Sequence, residues 1–235
     1  MSYHFFLTEQ ERSTLSVDFN PPIVLDDNSS YEIGLTNFSA SNAIPNVDKT
    51  NNLFHYGKDK VVEIPIGSYE ITNISDFLMN QLVNDKANVN DKISLRLAAN
   101  LNTLKCEIVC NESIDFSKQH SIGKLLGFKK RILIPNVLHT SDFPVDIMRI
   151  NLIRVDCSIV KNSYRNGDLV HTLYAFYPKE PPGYKIVESP MNVVYLPINT
   201  HVINHISLRI VDQNNRPVNF RKEVISITLH LRKLT

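Results

Sequence analysis

His139, Ser141 and Asp142 in "HTSDFP" supply the residue types of a base, a nucleophile and an orienting acid. Such a triad has to converge in space and is generally assembled from distant segments. Three near-neighbours ahead of Phe143-Pro144 read instead as a polar turn. His201 and His205 stand four apart, a spacing that a helix would turn into a metal pair. The stretch that follows, "HISLRIV", alternates as a strand does, which sets the two about 13 Å apart, too far for one zinc. The same arithmetic removes Cys106 and Cys110, which read as small core residues on one strand face. Asp26-Asp27 lies in "LDDNSSY", a solvated turn. Tyr174, Phe176 and Tyr177 could offer a stacking platform, but alternation sends the first two to one face, where core packing explains them. The phosphate-cradling and nucleophile-elbow glycine motifs are missing, and the chain has only 7 glycines. The expectation is no catalytic residue, no metal ligand, no cofactor and no enzyme.

The elements that would position any site are strands. In "SYEIGLTN" Tyr31, Ile33 and Leu35 share a face, as do Ile93, Leu95 and Leu97, and then Leu104, Cys106, Ile108 and Cys110. Ile153, Val155, Cys157 and Ile159 follow, then Ile206, Leu208 and Ile210, and last Ile225, Ile227, Leu229 and Leu231. Period two describes strands with one buried face. The runs 61–66, 170–177 and 192–198 are more continuously apolar, as in strands covered on both sides. Asn166-Gly167 signals a tight hairpin, and "DQNNRP" at 212–217 a looser connection. Ile74, Phe77, Leu78 and Leu82 predict one helix over 74–83, capped by Thr72 or Asn73. "SIGKLLGF" predicts a second, shorter one, capped by Ser121 and closed by Gly127.

Composition bounds the rest. The 235 residues are 43% hydrophobic and 21% charged, typical of one globular all-β unit. No apolar run could span a bilayer. "MSYHFFLTEQERS" is too short in its apolar part for a secretory signal. Three cysteines without dense spacing suit a reducing compartment, so the sequons at Asn28, Asn37, Asn73 and Asn111 read as coincidence. A net charge of +1 gives no global case for nucleic acid, and "KKR" at 129–131 reads as a solvated rim. Membrane insertion is not expected, and nucleic-acid contact is expected to be nonspecific at most.

"YPKEPPGYKIVESP" contains Pro178-x-x-Pro181, the minimal pattern that groove-binding modules read. It is flanked at once by strand-like "TLYAFY" and "NVVYLPI". Proline belongs where strands stop, and Gly183 lets the backbone reverse. The tract reads as a structural loop whose tip can touch a neighbouring subunit.

Roughly nine or ten strands with two small helices suggest a sandwich of two sheets. The wording of the C-terminal half, "SIGKLLGF", "NGDLVHTLYAFYPKEPPGYKIVESPMNVVYLPINT" and "ISLRIVDQNNRPVNFRKEVISITLHLR", resembles the minor capsid, or penton-like, proteins of Maverick/Polinton-type viruses. "IPIGSYEITNISDFL" is similar to the strand-turn-helix entry of jelly-roll capsid proteins in related large DNA viruses. The resemblance covers about residues 30 to 232. It implies an all-β, antiparallel viral single jelly roll with one or two short helices over 31–235, behind an N-terminal arm and first strand region at 1–30. It also implies homopentamers at icosahedral vertices, a double jelly-roll major capsid protein as partner, and location in the virion after assembly in the host cytoplasm or nucleus. It supplies no catalytic residues.

Candidate subunit contacts are then Phe5, Phe6 and Leu7 of the arm, Pro178, Pro181, Pro182 and Tyr184 of the proline loop, and the segment "PNVDKTNNLFHYG". The alternatives are a β-sandwich binding module for a receptor or glycan, another jelly-roll shell subunit, and a β-sandwich enzyme assembled from distant residues.

Overall fold

The computed structural model describes residues 2–84 and 93–234. Its strands, in chain order, open with β1 (Ser2–Glu9), β2 (Thr14–Val24) and β3 (Tyr31–Ser41). Next come β4 (Leu53–Tyr56), β5 (Lys60–Glu63), the helix α1 (Ile71–Asn84), β6 (Leu95–Asn100) and β7 (Lys105–Cys110). Then follow β8 (Ile114–Asp115), β9 (Ile132–Leu133), β10 (His139–Pro144) and β11 (Ile153–Cys157). The last are β12 (Ser163–Arg165), β13 (Asp168–Val170), β14 (Thr172–Phe176), β15 (Lys185–Glu188), β16 (Leu196–Pro197), β17 (Val202–Asp212) and β18 (Ile225–Lys233). Every ladder between these strands is antiparallel.

Contacts divide the chain into two compact units, one of Met1–Ile44 with Ile150–Thr235 and one of Pro45–Arg149. The sequence suggested a single body over 31–235, because neither composition nor linker chemistry changes at 45 or at 149. Within 1–30, expected as an N-terminal arm and first strand region, residues 2–9 and 14–24 are two long strands of the first unit.

In the first unit one sheet runs β1-β18-β3-β15, with β16 also on β3, and a second runs β14-β11-β17-β2. Their facing sides form one core. Ile33, Leu35 and Phe38 of β3 and Ile227, Leu229 and Leu231 of β18 meet Ile153 and Val155 of β11 and Ile206, Leu208 and Ile210 of β17. The period-two residues anticipated from sequence are the residues buried here, each worth about 1.5–3 kcal/mol relative to exposure. Phe38 and Phe176 bridge β3 and β14 with ring centroids 4.9 Å apart. This is the antiparallel β-sandwich that the alternation implied. Two strand assignments change. The 170–177 run supplies an edge strand in which only Leu173 and Phe176 are buried, not one covered on both sides. Of 192–198 only Leu196–Pro197 joins a ladder. The β12–β13 hairpin turns through Asn166 and Gly167, at φ of 52° and 93°, as that dipeptide implied.

The second unit holds two small sheets, β10-β7-β6 and β5-β4-β8-β9, with α1 packed on β6. The helix begins a turn earlier than expected because Ile71 extends the buried stripe of Ile74, Leu78 and Leu82. Asn73 does not cap directly but reaches back from the first turn, where its Oδ1 accepts from the Glu70 amide at 3.0 Å. Ser121 accepts from the Gly123 amide and caps a single 3-10 turn, and Gly127 at φ 81° ends the segment. Leu104, expected inside, sits in the β6–β7 turn at φ 57° and is exposed. The segment "PNVDKTNNLFHYG" turns inward within this unit: Asn46, Val47, Asn51, Asn52, Phe54 and Tyr56 are all buried. The two chain crossings of this unit are clasped together. Asn46 Nδ2 donates to the Tyr69 and Ile147 carbonyls, and Arg149 Nη1 donates to Asp48 Oδ2 at 2.6 Å.

Candidate functional site

The groups with catalytic side chains are dispersed by their own partners. Ser141 Oγ accepts from the Cys106 amide and donates to the Phe143 carbonyl at 2.7 Å, His139 Nε2 lies 3.1 Å from the Ile134 carbonyl, and Asp142 pairs with Arg131. His205 on β17 pairs with Asp18 at 2.8 Å, and His201 just ahead of β17 faces Asp27 at 3.9 Å, two separate exposed pairs. Burial pushes the Cys106 thiol up to about 12 and the Cys157 thiol to about 11, so neither supplies a thiolate at neutral pH. Among the described residues no group of three or more His, Cys, Asp or Glu side chains could hold a metal ion. Tyr174 packs toward the core and donates to Glu188 at 2.8 Å; burial, then that carboxylate, raises its phenol to about 12.

What the first unit does build is a surface. Three consecutive apolar residues open the chain, and strand alternation splits them. Phe5 and Leu7 enter the core at 7% and 6% exposure, whereas Phe6 points out at 78%. The expectation that all three dock a neighbour is corrected for Phe5 and Leu7, which the β1–β18 ladder turns inward. Phe6 remains on the outer face of the sheet.

That outer face is ordered by a cluster opposite the core. His4 faces His230 across the ladder with stacked rings 4.6 Å apart. The His230 ring is held at both nitrogens, by the Ser2 hydroxyl at 2.6 Å and by the Tyr195 hydroxyl at 2.7 Å. Burial, then His4 and Arg232, lowers its pKa below the ordinary histidine value. Arg232 bonds Glu32 at 2.6 Å and lies 3.6 Å over the Tyr195 ring. The strap Val193–Tyr195 crosses the sheet at Gly34. A Cβ there would meet Val193 Cγ1 at 2.5 Å and the Val194 carbonyl at 3.0 Å, so only glycine allows this approach.

The four sheet edges differ in protection. β15 is short and begins with Lys185, while β14 and β2 face ladders broken by register shifts. β1 pairs with β18 through eight unbroken positions, with no proline or lysine along it. An edge of that kind is a template for strand addition.

The proline loop is rigid at its tip. The Tyr184 amide donates to the Pro181 carbonyl at 3.2 Å around Pro182 and Gly183, the latter at φ 85°, the proline–glycine geometry of a type II turn. Asn42, which sequence reading missed, locks it from β3's end. Its side chain donates to the Glu180 carbonyl, its amide to the Tyr184 carbonyl at 2.7 Å, and its carbonyl accepts from Gly183. Pro181, Pro182 and Tyr184 are exposed, Pro178 is half-buried, and Tyr177 beside it is exposed. A separate open cleft of about 400 Å³ lies between residues 10–14 and 217–225, with Arg12, Lys222 and Glu223 on its walls.

No family model matches this sequence, and no curated protein matches it. Among solved structures the chain is similar to the crystal structure of the selenomethionine-labelled mavirus penton protein. The similarity covers 100% of both chains, with a TM-score of 0.52 and 12% sequence identity. At that identity the likeness is one of fold: this chain is an all-β sandwich of the penton-like kind.

Proposed function

We propose that this chain is a structural virion protein, a penton-like minor capsid protein that assembles as pentamers at icosahedral vertices beside a double jelly-roll major capsid protein. The observation that carries the proposal is the fold likeness to a viral penton protein along the full length of both chains. His139, Ser141 and Asp142 each bond a different partner within the second unit. Rigid loops, an exposed Phe6 and an unguarded β1 edge suit contacts between subunits.

The test is the molar mass of the purified protein by light scattering across a concentration series, with negative-stain images of any oligomer. A fivefold ring at five times the 26.8 kDa chain mass is the expected result. A trimer keeps the shell class but removes the vertex. A monomer at all concentrations that binds a glycan or receptor and never enters capsids overturns the proposal in favour of a binding module.

A further inference from the structure

The second unit carries a surface feature that its own fold does not use. After Leu133, five consecutive residues, Ile134, Pro135, Asn136, Val137 and Leu138, are exposed, and Ile132 before them is 62% exposed. Ile134 and Leu138 stand at 61% and 60%. The chain reverses through Pro135 and Asn136, the latter at φ 59°, which is turn chemistry that fixes the tip. The loop is braced at its base: the Asn136 amide donates to the Cys110 carbonyl at 2.7 Å, and the Lys129 amide to Asp142 Oδ2 at 2.9 Å. An aliphatic knuckle is therefore held out in water by a rigid frame. Exposed apolar patches of this kind mark interaction sites.

The flanking charge indicates what covers it. Lys129, Lys130 and Arg131 run directly into the loop. Two carboxylates beside it are engaged locally, Asp142 by Arg131 and by the Lys129 amide, and Asp115 by Ser117. Lys129 Nζ lies 5.5 Å over the exposed Phe143 ring, extending the same mixed surface. The tip is aliphatic, whereas protein interfaces concentrate their energy in Trp, Tyr and Arg anchors seated in pockets. Apolar side chains rimmed by basic ones are the composition that lies in a bilayer interface.

We propose that the Lys129–Leu138 loop docks this protein peripherally on an anionic lipid bilayer. Ile134, Val137 and Leu138 enter the acyl boundary while Lys129 and Lys130 meet headgroup phosphates. No described helix is long and apolar enough to cross a membrane.

The experiment is flotation of the full chain with vesicles of phosphatidylcholine, with and without phosphatidylserine. Binding is expected on the phosphatidylserine vesicles and weakened by added salt. Each of Lys129→Glu and Lys130→Glu is expected to cost at least about fivefold in partitioning. The pair Ile134→Ser and Leu138→Ser is expected to cost about tenfold or more, with the circular dichroism spectrum unchanged because these side chains belong to neither hydrophobic core. No binding to anionic vesicles overturns the proposal, as does binding that neither pair of substitutions weakens. Self-association that Ile134→Ser and Leu138→Ser abolish, without vesicle binding, also overturns it and assigns the knuckle to a second copy.

Discussion

Gly34→Ala adds one methyl group at the point where the strap crosses the outer face of the β1–β18–β3 sheet. Its sign separates two physical effects. Gly34 is not in the left-handed region, so relief of unfolded-chain entropy alone would make alanine stabilising by about 0.4–1 kcal/mol. The geometry opposes this. The new Cβ lies 2.5 Å from Val193 Cγ1 and 3.0 Å from the Val194 carbonyl, whereas carbons rest about 3.5–4.0 Å apart. The strap must lift by roughly 1 Å or the sheet must distort, and overpacking of this kind costs about 1–3 kcal/mol. Lifting also stretches the Tyr195–His230 hydrogen bond, worth about 1 kcal/mol net. It draws the Tyr195 ring off Arg232 as well, about 0.5–1 kcal/mol at an exposed site. A net loss of about 2–3 kcal/mol is expected in urea unfolding followed by tyrosine fluorescence, the chain having no tryptophan. Val193→Ala removes the nearest atom, so the double variant should recover at least about 1 kcal/mol of that loss. Equal or greater stability in Gly34→Ala refutes the reasoning, and so does an undiminished loss in the Val193→Ala background.

Three further expectations follow from the same unit. Arg221 and Lys222 occupy consecutive left-handed positions at φ 55° and 66°, closed by the Glu223 amide on the Phe220 carbonyl. Replacing them with Asn and Gly should stabilise by about 1 kcal/mol in urea unfolding. Phe5→Ala should destabilise by about 3–5 kcal/mol, while Phe6→Ser stays within about 0.5 kcal/mol and acts only on association, by melting and light scattering respectively. Burial, then His4 and Arg232, lower the His230 pKa, so below the ordinary histidine pKa of about 6.5 the unfolded chain takes up a proton that the fold resists. This part of the stability is present above pH 6.5, declines as pH falls below it, and should vanish from the melting profile of His230→Gln.

The β-sandwich was legible because alternation at Ile153–Ile159, Ile206–Ile210 and Ile225–Leu231 is a local imprint of a one-sided core. The hairpin at Asn166-Gly167 and the Ser121 cap were legible because their signals lie within a few residues. β1 was hidden because Phe5, Phe6 and Leu7 run together, so apolarity alone does not say which of them points inward. The 192–198 run looked like a strand, yet its first residues are a strap whose place depends on a glycine more than 150 positions upstream. Asn42 and Asn46 act on partners distant in sequence, and nothing in their neighbourhood announces it. The edges of the second unit were equally silent, because a clasp between Asp48 and Arg149 leaves no mark on composition.

That clasp has a consequence for how the chain tolerates its insertion. A flexible excursion of roughly a hundred residues between β3 and β11 would tax closure of the sandwich by about 2–3 kcal/mol more than a short turn does. With Asn46, Asp48 and Arg149 tying entrance to exit, the excursion presents the sandwich with a short connection instead. Residues 45–149 are in this sense a cassette whose two ends are tied to each other by Asn46, Asp48 and Arg149.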